Sequence, residues 1–183
     1  LQHSAVHERG MPEYEYLAVG SFSSTLDDLK EMYLYSWTIQ TFHSLGILEY
    51  IASYFHTVKN TRYRDFYETF LEFMRTQESY FSKEYSFIIK YIDKGYSGNG
   101  WDHHDPNLGE IYWPVEEATW LRITDKKSRL VKDIKKFIEF FQNKFNYDIP
   151  SNTIEDLVKF QVFLLSFYDD LEIKTENFEY DWK

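Results

Sequence analysis

Hydrophobic positions recur at helical spacing along most of this chain, and strict alternation is confined to its two ends. Leu130, Ile134, Phe137, Phe141 and Phe145 form the clearest amphipathic stripe. They predict a helix over 126–146 that Asp148, Ile149 and Pro150 break. A first helix is expected over 26–44, where Thr25 can cap and Asp28, three residues on, completes a short capping box. Gly46 reads as a bend, after which a helix continues to about residue 58 and is punctuated by Asn60 and Thr61. Further helices are expected over 63–75, 77–93 and 114–124, with Gly95 as the left-handed cap of the second of these. A last helix, capped by Thr153 with Asp156, reaches about residue 168. The fold class is therefore all-α, an irregular bundle of six or seven helices with short extended terminal segments. Residues 1–22 form an extended lead-in, in which Tyr14, Tyr16, Leu17 and Val19 alternate. Residues 23–170 form the helical domain, and 171–183 an extended tail that reads as cut short, so the chain is expected to be part of a longer polypeptide.

Within the first helix, residues 32–48 (MYLYSWTIQTFHSLGIL) carry no charge, although charged residues make up 27% of the chain. The run is too short and too polar to span a bilayer, and it reads as a helix buried on most sides. Buried polar groups need partners, and an unpaired one costs about 1–3 kcal/mol. Thr41 and Ser44 can bond back to their own helix carbonyls. Gln40 and His43 have no such local partner, which makes them the better pocket candidates.

Composition narrows the function classes. Of 183 residues, 43% are hydrophobic, enough for one domain with a proper core, and 20% are aromatic, which suits bulky packing between helices. A net charge of −10 argues against nucleic acid as a partner. The basic stretch at 126–136 falls mostly opposite the apolar stripe and reads as a solvated face. There is no cysteine, which excludes disulfides, thiolate chemistry and cysteine-held clusters within the chain. With no signal peptide or membrane span in view, the cytoplasm is the default expectation.

The one long loop, over 95–113, carries Asp102, His103, His104 and Asp105 in a row. Imidazole and carboxylate suit zinc, iron or manganese, but consecutive loop residues rarely point at one centre, so these four are weak metal candidates. His43 and His56 lie on neighbouring helical segments, positioned to line one cavity. Glu116 and Glu117 sit where a first helical turn favours acids. No nucleophile elbow, phosphate-cradling glycine loop, HExxH or dinucleotide fingerprint is present.

Three segments together resemble the region after the catalytic barrel in cobalamin-binding radical SAM proteins. They are YLYSWTIQTFHSLG at 33–46, GNGWDHHDPNLGEIYWPVEEATWLRI at 98–123 and NFEYDWK at 177–183. In that family a CxxxCxxC motif holds a 4Fe–4S cluster that cleaves S-adenosylmethionine, and cobalamin sits in a separate upstream domain. The resemblance implies that this chain is the non-catalytic C-terminal helical domain of such an enzyme. Its partners would be the upstream domains of the same polypeptide, and the cluster, S-adenosylmethionine and cobalamin would belong to them. Trp37, Gln40, His43, Trp101 and Trp113 would then face the substrate or the barrel. Two other readings stand beside it: a stand-alone acidic helical interaction domain, and a small His/Asp metalloprotein.

Overall fold

Thr25 caps the first helix, α1 (Leu26–Thr38), as its sequence predicts. Its hydroxyl accepts the Asp28 N–H at 3.2 Å, and the Asp28 carboxylate accepts the Thr25 N–H at 2.7 Å. The computed structural model describes residues 2–3, 14–166 and 175–182. Beyond α1 it contains α2 (Glu49–Lys59), α3 (Tyr63–Thr76), α4 (Tyr80–Tyr96), α5 (Val115–Thr124), α6 (Lys127–Phe145) and α7 (Ser151–Ser166). These helices make an irregular all-α bundle. The expected end of α7, near residue 168, lies outside the described residues. In the lead-in, β1 (Gln2–His3) pairs antiparallel with β2 (Tyr14–Glu15). Among the described residues no helix is long and apolar enough to cross a membrane.

Helical spacing turns the aromatic content into one core. Phe66, Phe70 and Phe73 of α3 meet Phe137 of α6 at ring-centre distances of 5.2, 4.8 and 5.5 Å. Phe55 of α2 reaches Phe141 at 4.7 Å. Tilted and edge-on geometries like these each add about 0.5–1.5 kcal/mol beyond the apolar area buried. Asn60 and Asn146 end α2 and α6 in the left-handed conformation (φ 54° and 52°), so asparagine serves as the terminator that glycine more often provides.

The uncharged run departs from expectation in two ways. Its second half, Ile39–Ser44, is a π-helix rather than a continuation of α1, with the Leu45 N–H reaching the Gln40 carbonyl at 2.9 Å. The run is also open along one strip, although buried or half-buried on its other sides. Met32 is 63% exposed, and Ser36, Gln40 and Ser44 continue the same open strip at intervals of four residues. Trp37, Thr38, Thr41 and Phe42 face inward, and Phe42 stands edge-on to Phe70 at 4.6 Å and to Phe81 at 5.6 Å. Thr38 bonds back to the Leu34 carbonyl at 2.8 Å. Thr41 does not bond back: its hydroxyl and the Trp37 indole N–H are buried without a hydrogen-bond partner.

Gly95 is not a left-handed cap either. α4 begins at Tyr80, later than expected, with Ser79 accepting the Ser82 N–H at 3.1 Å, and it runs through Gly95 to Tyr96. The positive φ values fall at Gly98 and Gly100 (80° and 79°). Gly95 is required for a different reason: a Cβ there would lie 2.5 Å from the Trp101 ring, which stacks on Tyr33 at 4.8 Å and 7°. Gly95→Ala should therefore destabilise the protein by about 1–3 kcal/mol through overpacking. In a Trp101→Ala background the same change should be neutral or stabilising by up to about 1 kcal/mol, because alanine favours helix. Thermal melts of the four proteins followed by circular dichroism read this reversal of sign directly.

Candidate functional site

The densest polar constellation among the described residues is built around Arg122, the one charged side chain in the WLRI stretch of α5. Val115, Ala118, Thr119 and Ile123 anchor α5 in the core, and this phase points Arg122 across to α4. Its Nε and Nη2 grip the Glu84 carboxylate at 2.8–3.1 Å. Nη2 also reaches Thr119 Oγ1 at 3.2 Å. Nη1 donates to His103 Nε2 at 3.1 Å and to Asp105 Oδ2 at 3.2 Å. The guanidinium lies over the Phe87 ring at 4.6 Å. A guanidinium can only donate, so His103 Nε2 is an acceptor and the ring proton sits on Nδ1.

The electrostatics follow from this packing. Glu84 is 4% exposed, so its charge depends on Arg122 for compensation. Burial, and then the neighbouring Arg122 charge, push His103 below its usual 6.5. Burial works to raise the Asp105 carboxyl, but hydrogen bonds from Asn107 and Arg122 outweigh it and hold the group below its usual 3.8. Burial likewise opposes charge on Arg122, and Glu84 and Asp105 more than offset it. The constellation is thus a charged clamp with a neutral imidazole on its edge. It fastens the 97–113 loop to α4 and α5, and an antiparallel bridge between His104 and Tyr112 closes that loop on itself.

Beside the clamp is a cavity of about 560 Å³ lined by Tyr80, Asp105, Leu108, Trp120, Arg122 and Arg129. Arg129 lies 3.4 Å over the Tyr80 ring and donates to the Arg122 carbonyl at 2.7 Å, while its Nε is buried without a partner. Arg129 and Lys127 are half-buried, whereas Lys126, Lys132, Lys135 and Lys136 are exposed as a solvated face should be.

The residues singled out from sequence fall in several places. Trp37 is fully buried in the core. Gln40, expected to lack a local partner, donates to Ser36 Oγ one turn back at 2.9 Å. His43 Nδ1 is 2.9 Å from the Tyr67 hydroxyl. His43 and His56 both pack on one ring, Tyr63, at 5.5 and 4.5 Å. Trp101 is wedged between Tyr33 and α4, and the Tyr91 hydroxyl donates to its carbonyl. Trp113 donates its indole N–H to the Leu108 carbonyl at 3.2 Å. Of the four loop candidates for a metal, His103 and Asp105 converge on Arg122. His104 lies 3.9 Å from Glu110, and the Asp102 carbonyl accepts from Lys94 at 2.9 Å. Among the described residues no three His, Asp or Glu side chains are grouped to hold an ion. Glu116 and Glu117 occupy the first turn of α5, where the helix dipole favours them.

Sequence reasoning missed Arg122, Glu84, Arg129 and Tyr80. The available signal was one basic residue inside an otherwise apolar helix and one acid, Glu84, on the inward side of α4; both are places where charge needs a partner.

Removing Arg122 should leave Glu84 as an uncompensated buried charge, so Arg122→Ala is expected to lower stability by about 3–5 kcal/mol. The double change Glu84→Met with Arg122→Met should recover much of that loss, as read from urea unfolding. A second expectation concerns pH. His103 takes up its proton more readily in the unfolded chain, so its contribution is complete above about pH 6.5 and falls as the pH drops through the lower folded value. The Asp105 contribution is complete above 3.8 and is lost in stronger acid. His103→Gln should abolish the first decline and keep the second, as measured by unfolding free energies between about pH 7.5 and 3. Neither a protein-family model nor a curated protein matches this chain.

Proposed function

We propose that this chain is a non-catalytic helical domain that packs beside the reactive part of a larger cobalamin-binding radical SAM-type enzyme and helps to enclose its substrate. One observation carries the reading: the polar side chains are committed inward while an uncharged strip is left open. Arg122 holds Glu84, His103 and Asp105, and His43 is bonded to Tyr67. Met32, Ser36, Gln40 and Ser44 meanwhile form an exposed uncharged strip, rimmed beside Met32 and Ser36 by Asp28, Glu31, Arg64 and Glu68. The centres of protein interfaces are depleted in charge in this way. On this reading the strip, which includes Gln40 and has His43 beside it and Trp37 behind it, meets the upstream domains of the same polypeptide, with Trp101 and Trp113 toward the substrate side. The 4Fe–4S cluster, S-adenosylmethionine and cobalamin belong to those domains, because a chain without cysteine cannot supply the cluster's thiolates.

The exposed side chains of Tyr16, Val19 and Phe22 favour a second reading, a free-standing acidic interaction domain that meets a separate protein. The two part at the coding sequence upstream of Leu1, where the first requires an in-frame CxxxCxxC. The isolated chain is expected to fold and to show no heat of binding with S-adenosylmethionine in calorimetry. A saturable, stoichiometric isotherm would overturn the non-catalytic assignment.

A further inference from the structure

Residues 176–182 lie against α7 as a bound peptide would. Lys159 Nζ donates to the Asn177 carbonyl at 2.7 Å and pairs with Glu176 at 2.8 Å. Phe178 stands edge-on to Phe160 at 5.3 Å and packs near Phe163 at 5.7 Å. Asp156 Oδ2 accepts three hydrogen bonds from this one segment: the Glu179 and Tyr180 backbone N–H groups at 3.0 and 3.1 Å, and the Trp182 indole at 2.9 Å. The Tyr180 hydroxyl accepts from Thr153 at 3.0 Å and Asn152 at 3.1 Å. Trp182 reaches Tyr54 of α2 at 5.8 Å and Phe160 at 6.3 Å.

Two features separate this from an ordinary surface segment. The first is that Asp156 and Thr153, expected from sequence to cap α7, are turned outward to the tail. Asp156 is only 6% exposed with the tail in place, and the donors that satisfy it come from the tail. The second is the order of the segment. Phe178, Tyr180 and Trp182 alternate with the exposed acids Glu179 and Asp181, and a bend at Glu179–Tyr180 lets all three aromatics contact α7 while both backbone N–H groups meet Asp156. Recognition of this kind reads backbone N–H groups and a spaced set of rings, and nothing in it requires a covalent tether. A cavity of about 570 Å³ remains beside the docked tail, lined by Tyr50, Ser53, Tyr54, Leu157 and Trp182 among others.

We propose that the α2–α7 face is a docking site for a bent segment of the form Phe-x-Tyr-x-Trp, held at rest by the chain's own tail and able to take the tail of a second copy. This is independent of the family reading above. A segment held by its own chain competes at a high effective concentration, on the order of millimolar, so a free copy binds only when the resident one is weakened. Changes on the two sides of the contact should therefore act in opposite directions.

The test titrates full-length protein into a fluorescein-labelled peptide spanning 176–183 and follows anisotropy. Trp182→Ala weakens the tethered tail and leaves the docking face intact, so it should bind the peptide at least about tenfold more tightly than the unaltered protein does. Adding Asp156→Ala to Trp182→Ala should abolish that gain. A scrambled peptide should not bind. The proposal fails if Trp182→Ala gains nothing, if the double variant binds as well as the single one, or if the scrambled peptide binds equally. Circular dichroism checks folding, and Phe178→Ala supplies the same tail-side arm should Trp182→Ala not fold.

Discussion

Arg122 has every N–H of its guanidinium engaged, and the elements it joins have no other common fastening of that strength. Glu84 comes from α4, Thr119 from α5, and His103 and Asp105 from the loop between them. The apolar core orders the helices, but the 97–113 loop buries little; Trp101 pins its first part against Tyr33 and α4, and the Arg122 fork fixes it at His103 and Asp105. Charge makes the arrangement all-or-none. A half-satisfied version would strand Glu84 in a place that water does not reach, and that is costlier than having no ion pair at all. The loop is therefore held by a penalty for leaving as much as by attraction.

The core works on a different logic. Phe66, Phe70, Phe73, Phe137 and Phe141 are interchangeable in kind but not in position, because each ring meets its neighbours at its own edge-on, tilted or stacked angle. Such packing fills volume without polar atoms to satisfy, and it tolerates an irregular bundle in which helices differ in length and crossing. Most of the polar side chains buried within it find partners, as Gln161 does with the Tyr50 N–H and the Gly46 carbonyl. The Trp37 indole and the Thr41 hydroxyl do not, and they lie on either side of the α-to-π transition.

What was legible in the sequence was local. Helix α6 was readable because Leu130, Ile134, Phe137 and Phe141 repeat at the period that buries them. The start of α1 was readable because Thr25 and Asp28 meet within one turn. The all-α class followed from the same periodicity. What stayed hidden depends on partners far away along the chain: Arg122 finds Glu84 across 38 residues and His103 across 19. Gly95 looked like a terminator because glycine usually is one, and only the arrival of Trp101 explains it otherwise. Thr153 and Asp156 carry the spacing of a cap, yet a segment more than twenty residues later claims both side chains. Gln40 differs from expectation for a smaller reason: Ser36 lies one turn back, and glutamine is long enough to reach it.

The π-helical turn at Ile39–Ser44 has an evolutionary corollary. A wide turn of this sort amounts to one residue added to an α-helix, and each added residue rotates everything beyond it by about 100°. Phe42 reaches Phe70 and Phe81 only in the rotated phase. Deleting a single residue would restore the more comfortable α-helical ladder while swinging Phe42 toward the surface and turning Gln40 or Ser44 inward. The less favourable turn is thus protected against loss by the core it serves, and lineages carrying it should retain the length of this segment more strictly than its composition.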